Sequence, residues 1–86
     1  MGVELDWQGG VLLALKDKGI EVQPFLHEKY SLLLCNGLAA IHLIPLGNAY
    51  KAEELIALQR VYQLKGITVL QLWQDVWHSR SARVLG

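Results

Sequence analysis

Three side chains in the first half of the sequence carry functional groups suited to catalysis or metal binding, namely Glu28, Cys35 and His42. A carboxylate, a thiol and an imidazole could together hold a metal ion, or could supply the base and the nucleophile of a hydrolase. Their spacing matches no recognised ligand or catalytic motif. A lone cysteine or histidine in an apolar strand is usually a buried structural residue. We favour this interpretation for Cys35 and also for His42, with His42 hydrogen-bonded to a backbone carbonyl, and we keep the three residues as weak site candidates.

A second group of polar and aromatic side chains lies near the C-terminus and consists of Trp73, Asp75, Trp77, His78, Arg80 and Arg83. Tryptophan is a frequent interface anchor, and basic side chains near a helix end can contact phosphates. The structural alternative is that Asp75 caps a last helix while the tryptophans hold that helix against a sheet. We favour the structural alternative for Asp75 and the tryptophans and a solvated position for the basic side chains, and we keep the group as a candidate interaction surface.

The elements that would position the first group follow from the spacing of apolar residues. A helix is predicted over residues 4–18, although Gly9-Gly10 weakens its first half and favours a start after Gly10. Strands are then predicted over residues 20–27, 30–35 and 38–44. Pro24 makes the first of them an edge strand, because proline cannot donate a ladder hydrogen bond. Asn36-Gly37 is a strong hairpin signal, so the three strands form an antiparallel meander.

The second half of the chain predicts a helix, a fourth strand and a last short helix. The helix covers residues 50–65 and ends before Gly66, where a left-handed cap is expected. Residues 67–73 are apolar at both alternating sets of positions, which is typical of a strand covered on both faces. We therefore expect this strand to be the central one. A helix of this length between two strands is typical of a crossover that joins parallel neighbours.

The predicted element order is α-β-β-β-α-β-α within a single domain of residues 1–86. The fold class is thus α/β (α+β), with a three-stranded antiparallel meander and one parallel strand added through the crossover helix. Eighty-six residues bury only a modest core, and 52% of them are apolar. Such a composition favours a homo-oligomer or a protein partner.

Charge and cysteine content narrow the classes of function. Eight basic and eight acidic residues give no net charge, so binding to nucleic acid is not favoured. No apolar run reaches the roughly 18 residues of a membrane span. A single cysteine allows no internal disulfide, and we expect a cytoplasmic protein. No motif for a nucleotide, a metal or another cofactor is present, so we expect none of these.

One stretch of the chain carries a family resemblance and reads Tyr62-Gln63-Leu64-Lys65-Gly66-Ile67-Thr68-Val69-Leu70-Gln71-Leu72-Trp73-Gln74-Asp75-Val76-Trp77. This stretch and the element order are similar to the restriction-endonuclease-like superfamily, the PD-(D/E)xK nucleases. In particular this stretch resembles the end of the very-short-patch-repair type endonucleases. There a helix leads through glycine into a buried strand that ends in an aromatic residue and an acid. The residue-level resemblance covers this stretch only, whereas the layout covers most of the chain.

The resemblance implies a magnesium site with an aspartate near the start of the hairpin and Glu-x-Lys on the third strand. A hard divalent ion needs oxygen ligands, and the lysine helps to activate water. The third strand has His42 and Ile44 about where the glutamate and the lysine would fall, and the second strand has no carboxylate. We therefore expect a catalytically inactive nuclease-like domain that acts as a binding or structural module. The alternative is nucleic-acid binding, or hydrolysis at a non-standard site around His42, Cys35 and Glu28.

Overall fold

The computed structural model describes the backbone of residues 3–85 and the side chains of residues 7–79. Its elements are α1 (Val3–Asp17), β1 (Val22–His27), β2 (Tyr30–Cys35), β3 (Ala39–Ile44), α2 (Ala52–Gln63), β4 (Thr68–Trp73) and α3 (Gln74–Leu85). The predicted element order is confirmed. None of the helices in the described range is long and apolar enough to cross a membrane.

The four strands form one sheet in the order β1-β2-β3-β4. The first three strands are antiparallel, and β4 pairs in parallel with β3 after the α2 crossover. The mixed α/β class, the meander and the parallel fourth strand are thus as predicted. Asn36 and Gly37 form the β2–β3 turn with positive φ angles of 53° and 70°. Positive φ at both central residues is what an Asn-Gly hairpin turn requires.

The prediction that residues 67–73 form the central strand is wrong, because β4 is an edge strand. β2 and β3 are the inner strands, and they carry most of the buried strand residues. The apolar run was a misleading signal, since Leu70 has 55% of its surface exposed although the run predicts burial. Parallel pairing of β4 with β3 leaves the other edge of β4 without a partner strand among the described residues. The expectation for β1 is confirmed, since Pro24 does lie on an edge strand.

The sheet separates two apolar clusters. On one face α2 packs its buried residues Leu58 and Tyr62 against a cluster that contains Leu32, Ala40 and Val69. On the other face α1 and α3 cover a cluster around Trp7, Val11, Leu33 and Leu43, with Trp77 packed against it. Alternation along each strand assigns its residues to the two faces. His42 therefore lies on the α2 face, with Ala40.

Helix α1 runs through Gly9 and Gly10, although these glycines predicted a later start. A side-chain carbon added at Gly10 would lie 3.7 Å from Cζ2 of Trp77. The indole ring therefore lies directly against the backbone of α1. Tertiary packing with α3 overrides the low helix propensity of the glycine pair.

Candidate functional site

The described residue with the most unusual environment is His42, which lies in the middle of β3. It pairs in register with Leu32 on β2 and with Gln71 on β4, and strand alternation places its ring on the sheet face that α2 covers. Only 1% of its surface is exposed. The predicted burial is therefore confirmed, but among the described residues Nε2 has no hydrogen-bond partner, so this nitrogen does not make the expected bond to a carbonyl.

Two tyrosine rings cover the imidazole of His42. Tyr30 meets it edge-on at 89° with ring centres 5.3 Å apart, and Tyr50 lies tilted at 37° and 5.7 Å. The two tyrosines contact each other at 5.2 Å. We call Tyr30, His42 and Tyr50 the aromatic cluster. Burial lowers the pKa of His42, so the imidazole is neutral at pH 7 and behaves as an apolar ring.

An ion pair lies over the outer side of the aromatic cluster. The Lys29 ammonium is 5.7 Å from the ring centre of Tyr30 and 5.5 Å from that of Tyr50, within cation–π range. It also lies 3.2 Å from Oε2 of Glu54, which accepts a 3.2 Å hydrogen bond from the Tyr30 hydroxyl. The hydrogen bond from Lys29 lowers the pKa of Glu54 and raises the pKa of Lys29. Both charges are therefore retained at neutral pH, and the Glu54 carboxylate is already engaged.

Glu28 lies in the tight turn between β1 and β2, with a positive φ of 55° and an exposed side chain. It borders an open groove of about 290 Å³, whose other lining residues are His27, Tyr30, Glu54, Ala57, Leu58 and Val61. His42 does not line this groove. Nδ1 of His27 lies 2.9 Å from the Tyr62 hydroxyl, so the imidazole of His27 makes a structural hydrogen bond.

Cys35 ends β2 three residues after Leu32, and alternation therefore places it on the sheet face opposite His42. Its thiol lies 3.6 Å from the carbonyl oxygen of Leu33. Burial raises the pKa of Cys35, which keeps the thiol protonated and poorly nucleophilic. The sheet thus separates Cys35 from His42, and Glu28 lies in a turn. Within the described residues no three His, Cys, Asp or Glu side chains come together as metal ligands would.

The candidate interaction surface near the C-terminus is divided by the sheet. Trp73 ends β4 in the same alternating set as Val69, on the α2 face, and is 37% exposed. Trp77 packs on the other face against α1, as its structural interpretation expects. Asp75 and His78 are exposed on α3. Arg80 and Arg83 belong to α3, but their side chains lie outside the described part of the chain, so their proposed phosphate contacts remain predictions.

Gln74 is a buried polar residue, although the sequence predicts only a turn at this position. It is the first residue of α3, so the prediction that Asp75 caps this helix is wrong, because Asp75 lies inside the first turn. Its Oε1 accepts a 2.8 Å hydrogen bond from the backbone N–H of Leu46, and its Nε2 lies 3.3 Å from His78. Gln74 therefore ties the loop after β3 to the start of α3. Its position between an apolar strand and an amphipathic helix was the available signal for a buried amide.

Replacing Gln74 by alanine is expected to lower the free energy of unfolding by about 1 kcal/mol, because the Leu46 N–H loses its acceptor. Urea denaturation followed by circular dichroism measures this loss. The matched control is His78→Ala, which removes only the longer contact at an exposed position and should change stability by less than about 0.5 kcal/mol. Equal losses for the two variants would mean that the Leu46 hydrogen bond is not the stabilising contact.

The geometry around His42 is that of a closed core and not of an open cleft. A neutral, covered imidazole can neither exchange a proton with a substrate nor bind an ion that arrives from solution. Comparisons of the chain with models of protein families, with curated proteins and with solved structures found no match.

Proposed function

We propose that this protein is a non-catalytic module with a restriction-endonuclease-like fold, and that it acts by binding a partner or as a structural unit. Support for the fold comes from the element order and from the parallel pairing of β4 with β3 through α2. Support also comes from the stretch of residues 62–77, which resembles very-short-patch-repair type endonucleases. The class of partner that we favour is protein, because the chain carries no net charge.

The observation that carries the non-catalytic role is the aromatic cluster. His42 stands about where the resemblance would place the metal-binding glutamate, and its ring is buried beneath Tyr30 and Tyr50. Ile44, about where the lysine would stand, is fully buried. A nuclease site needs carboxylate oxygens and a coordination position open to water and substrate. Aromatic and aliphatic packing at these two positions offers neither, and it stabilises the sheet instead.

The alternative, a hydrolase or nucleic-acid-binding protein that uses Glu28, Cys35 and His42, is less well supported. Cys35 and His42 project from opposite faces of the sheet, so one substrate group cannot contact both. The proposed location is the cytoplasm, on the argument that a single cysteine forms no internal disulfide.

Magnesium and manganese are expected to leave the melting temperature unchanged and to support no cleavage of DNA or RNA by the pure protein. The physical reason is that no described group of side chains offers a divalent ion several free oxygen ligands. Differential scanning fluorimetry and a plasmid-nicking assay make the two measurements.

Glu28→Ala is the matched variant, since it removes the exposed carboxylate among the three candidate residues and leaves the aromatic cluster intact. Cleavage that requires a divalent ion and is lost in Glu28→Ala would overturn the non-catalytic proposal. Cleavage that persists unchanged in Glu28→Ala would come from a contaminating nuclease or from a site that does not use Glu28. Its loss in His42→Phe would identify a site that uses His42, whereas its persistence in both variants would identify a contaminant.

A further inference from the structure

The free edge of β4 differs from the other edge of the sheet. Edge strands of monomeric proteins are usually protected from pairing by proline, by charged residues or by bulges. β1 has Pro24 at its edge, whereas Gly66 to Gln74 contains neither a proline nor a charged residue. Leu70 leaves 55% of its surface in solvent in the middle of this strand. An unprotected edge with an exposed leucine is the arrangement from which another strand can continue the sheet.

The backbone groups of β4 that face outward can be assigned from its pairing with β3. The N–H of Thr68 donates to the carbonyl of Leu38, so the backbone of Thr68 faces β3. In a strand the facing direction alternates, and the N–H and C=O groups of Val69 and Gln71 therefore face the free edge. These groups have no partner strand among the described residues. Both residues lie in the middle of β4, where an added strand would meet them.

We propose that a second copy of this chain pairs antiparallel with the free edge of β4, about a two-fold axis that passes beside Leu70. The inference names the partner for the proposed binding role and rests on that role. In this register Val69 of each copy lies opposite Gln71 of the other, and each such pair exchanges two backbone hydrogen bonds. Leu70 lies opposite Leu70, which buries the most exposed apolar side chain of β4 against its own equivalent.

Charge complementarity favours the antiparallel arrangement over a parallel one. Lys65 precedes β4, and Asp75 follows it in the first turn of α3. An antiparallel pair brings Lys65 of one copy to the end of the ladder where the other copy has Asp75, and it does so at both ends. A parallel pair would place Lys65 beside Lys65. The register centred on Leu70 also aligns position 65 with position 75, since both are five residues from the axis.

The direct test is the mass in solution, measured by sedimentation equilibrium. The chain has a mass of 9.7 kDa, and the wild type is expected to sediment at twice that value. Leu70→Lys and Leu70→Glu each place two like charges opposite each other on the axis, so each variant alone is expected to sediment at half the wild-type mass. An equimolar mixture of the two variants is expected to regain the doubled mass, because a lysine then faces a glutamate. This recovery also shows that both variants are folded.

Leu26→Lys is the matched control, because Leu26 is also exposed on an edge strand but belongs to β1. It should retain the doubled mass. A monomeric wild type, dissociation by Leu26→Lys, or a mixture of Leu70 variants that stays monomeric would each overturn the inference.

The outcomes for the pair and for the non-catalytic role can be told apart. A monomeric wild type that does not cleave nucleic acid would remove the β4 pair and leave the non-catalytic role. A dimer that cleaves DNA in the presence of magnesium would leave the β4 pair and remove the non-catalytic role.

Discussion

Replacing Leu32 by alanine is expected to lower the free energy of unfolding by about 3–5 kcal/mol, the upper part of the range for leucine truncation in a core. Leu32 lies on the inner strand β2 with 1% of its surface exposed. It pairs in register with Phe25 on β1 and with His42 on β3, and it shares a cluster with Leu58 of α2. Two paired strands and a helix surround the site, so it has little freedom to collapse around the cavity.

The matched control is Leu26→Ala, which truncates a leucine on the neighbouring edge strand. Leu26 is 73% exposed, and its truncation should cost less than about 0.5 kcal/mol. Urea denaturation of both variants at one protein concentration gives the comparison. Similar losses for Leu32→Ala and Leu26→Ala would contradict the sheet order, because they would require β1 and β2 to be equally buried.

Replacing His42 by phenylalanine is expected to raise the free energy of unfolding by about 1–3 kcal/mol at pH 7. The imidazole Nε2 is buried and has no hydrogen-bond partner in the described part of the chain, and removing such a group recovers its desolvation cost. Phenylalanine keeps a flat ring for the contacts with Tyr30 and Tyr50. The same substitution at His27 should have the opposite sign, since it leaves the partly buried Tyr62 hydroxyl without its partner. A destabilised His42→Phe variant would indicate a role for the imidazole that core packing does not explain.

The dependence of stability on pH gives a second readout for His42. Because burial lowers its pKa in the folded state, the unfolded chain binds the proton more readily than the folded one. The wild type should therefore lose stability as the pH falls below about 6.5, by at most ~1.4 kcal/mol per pH unit.

The groups facing the His42 ring are Tyr30 and Tyr50, with Lys29 and Glu54 outside them. Tyr30 and Lys29 have raised pKa values, and Glu54 a lowered one that acts below pH 4.5, so none of these three titrates in this window. His42→Phe should remove this loss.

Much of the fold was predictable because local chemistry determined it. Pro24 placed β1 at an edge, Asn36-Gly37 formed the hairpin turn, and Gly66 adopts the positive φ expected after helix α2. Each of these features depends on the backbone preference of one or two residues. The order of the strands in the sheet could not be predicted from such local preferences. An apolar pattern on both faces of β4 reports that helices cover its two faces, and this holds for an inner strand and for an edge strand alike. Only a further strand would pair with the free backbone edge of β4, and side-chain pattern does not report that pairing.

The candidate site was less predictable than the fold. His42 was identified as a buried histidine, but its covering rings come from Tyr30 at the start of β2 and from Tyr50 in the loop before α2. No spacing rule relates these positions, since the register of β2 with β3 and the path of the loop bring them together. Glu28, Cys35 and His42 illustrate the converse. Their side-chain chemistry is suitable for a site, but a sheet separates the thiol from the imidazole.

A crystal structure of the protein grown with manganese, with anomalous diffraction data, tests the central claim most directly. The claim is that the position where a related nuclease would bind its metal is filled by the aromatic cluster. We expect the His42 ring to lie beneath Tyr30 and Tyr50, with no anomalous peak within bonding distance of Glu28, Cys35 or His42. A manganese ion coordinated by any two of these three side chains would contradict the non-catalytic role and would establish a metal site in its place.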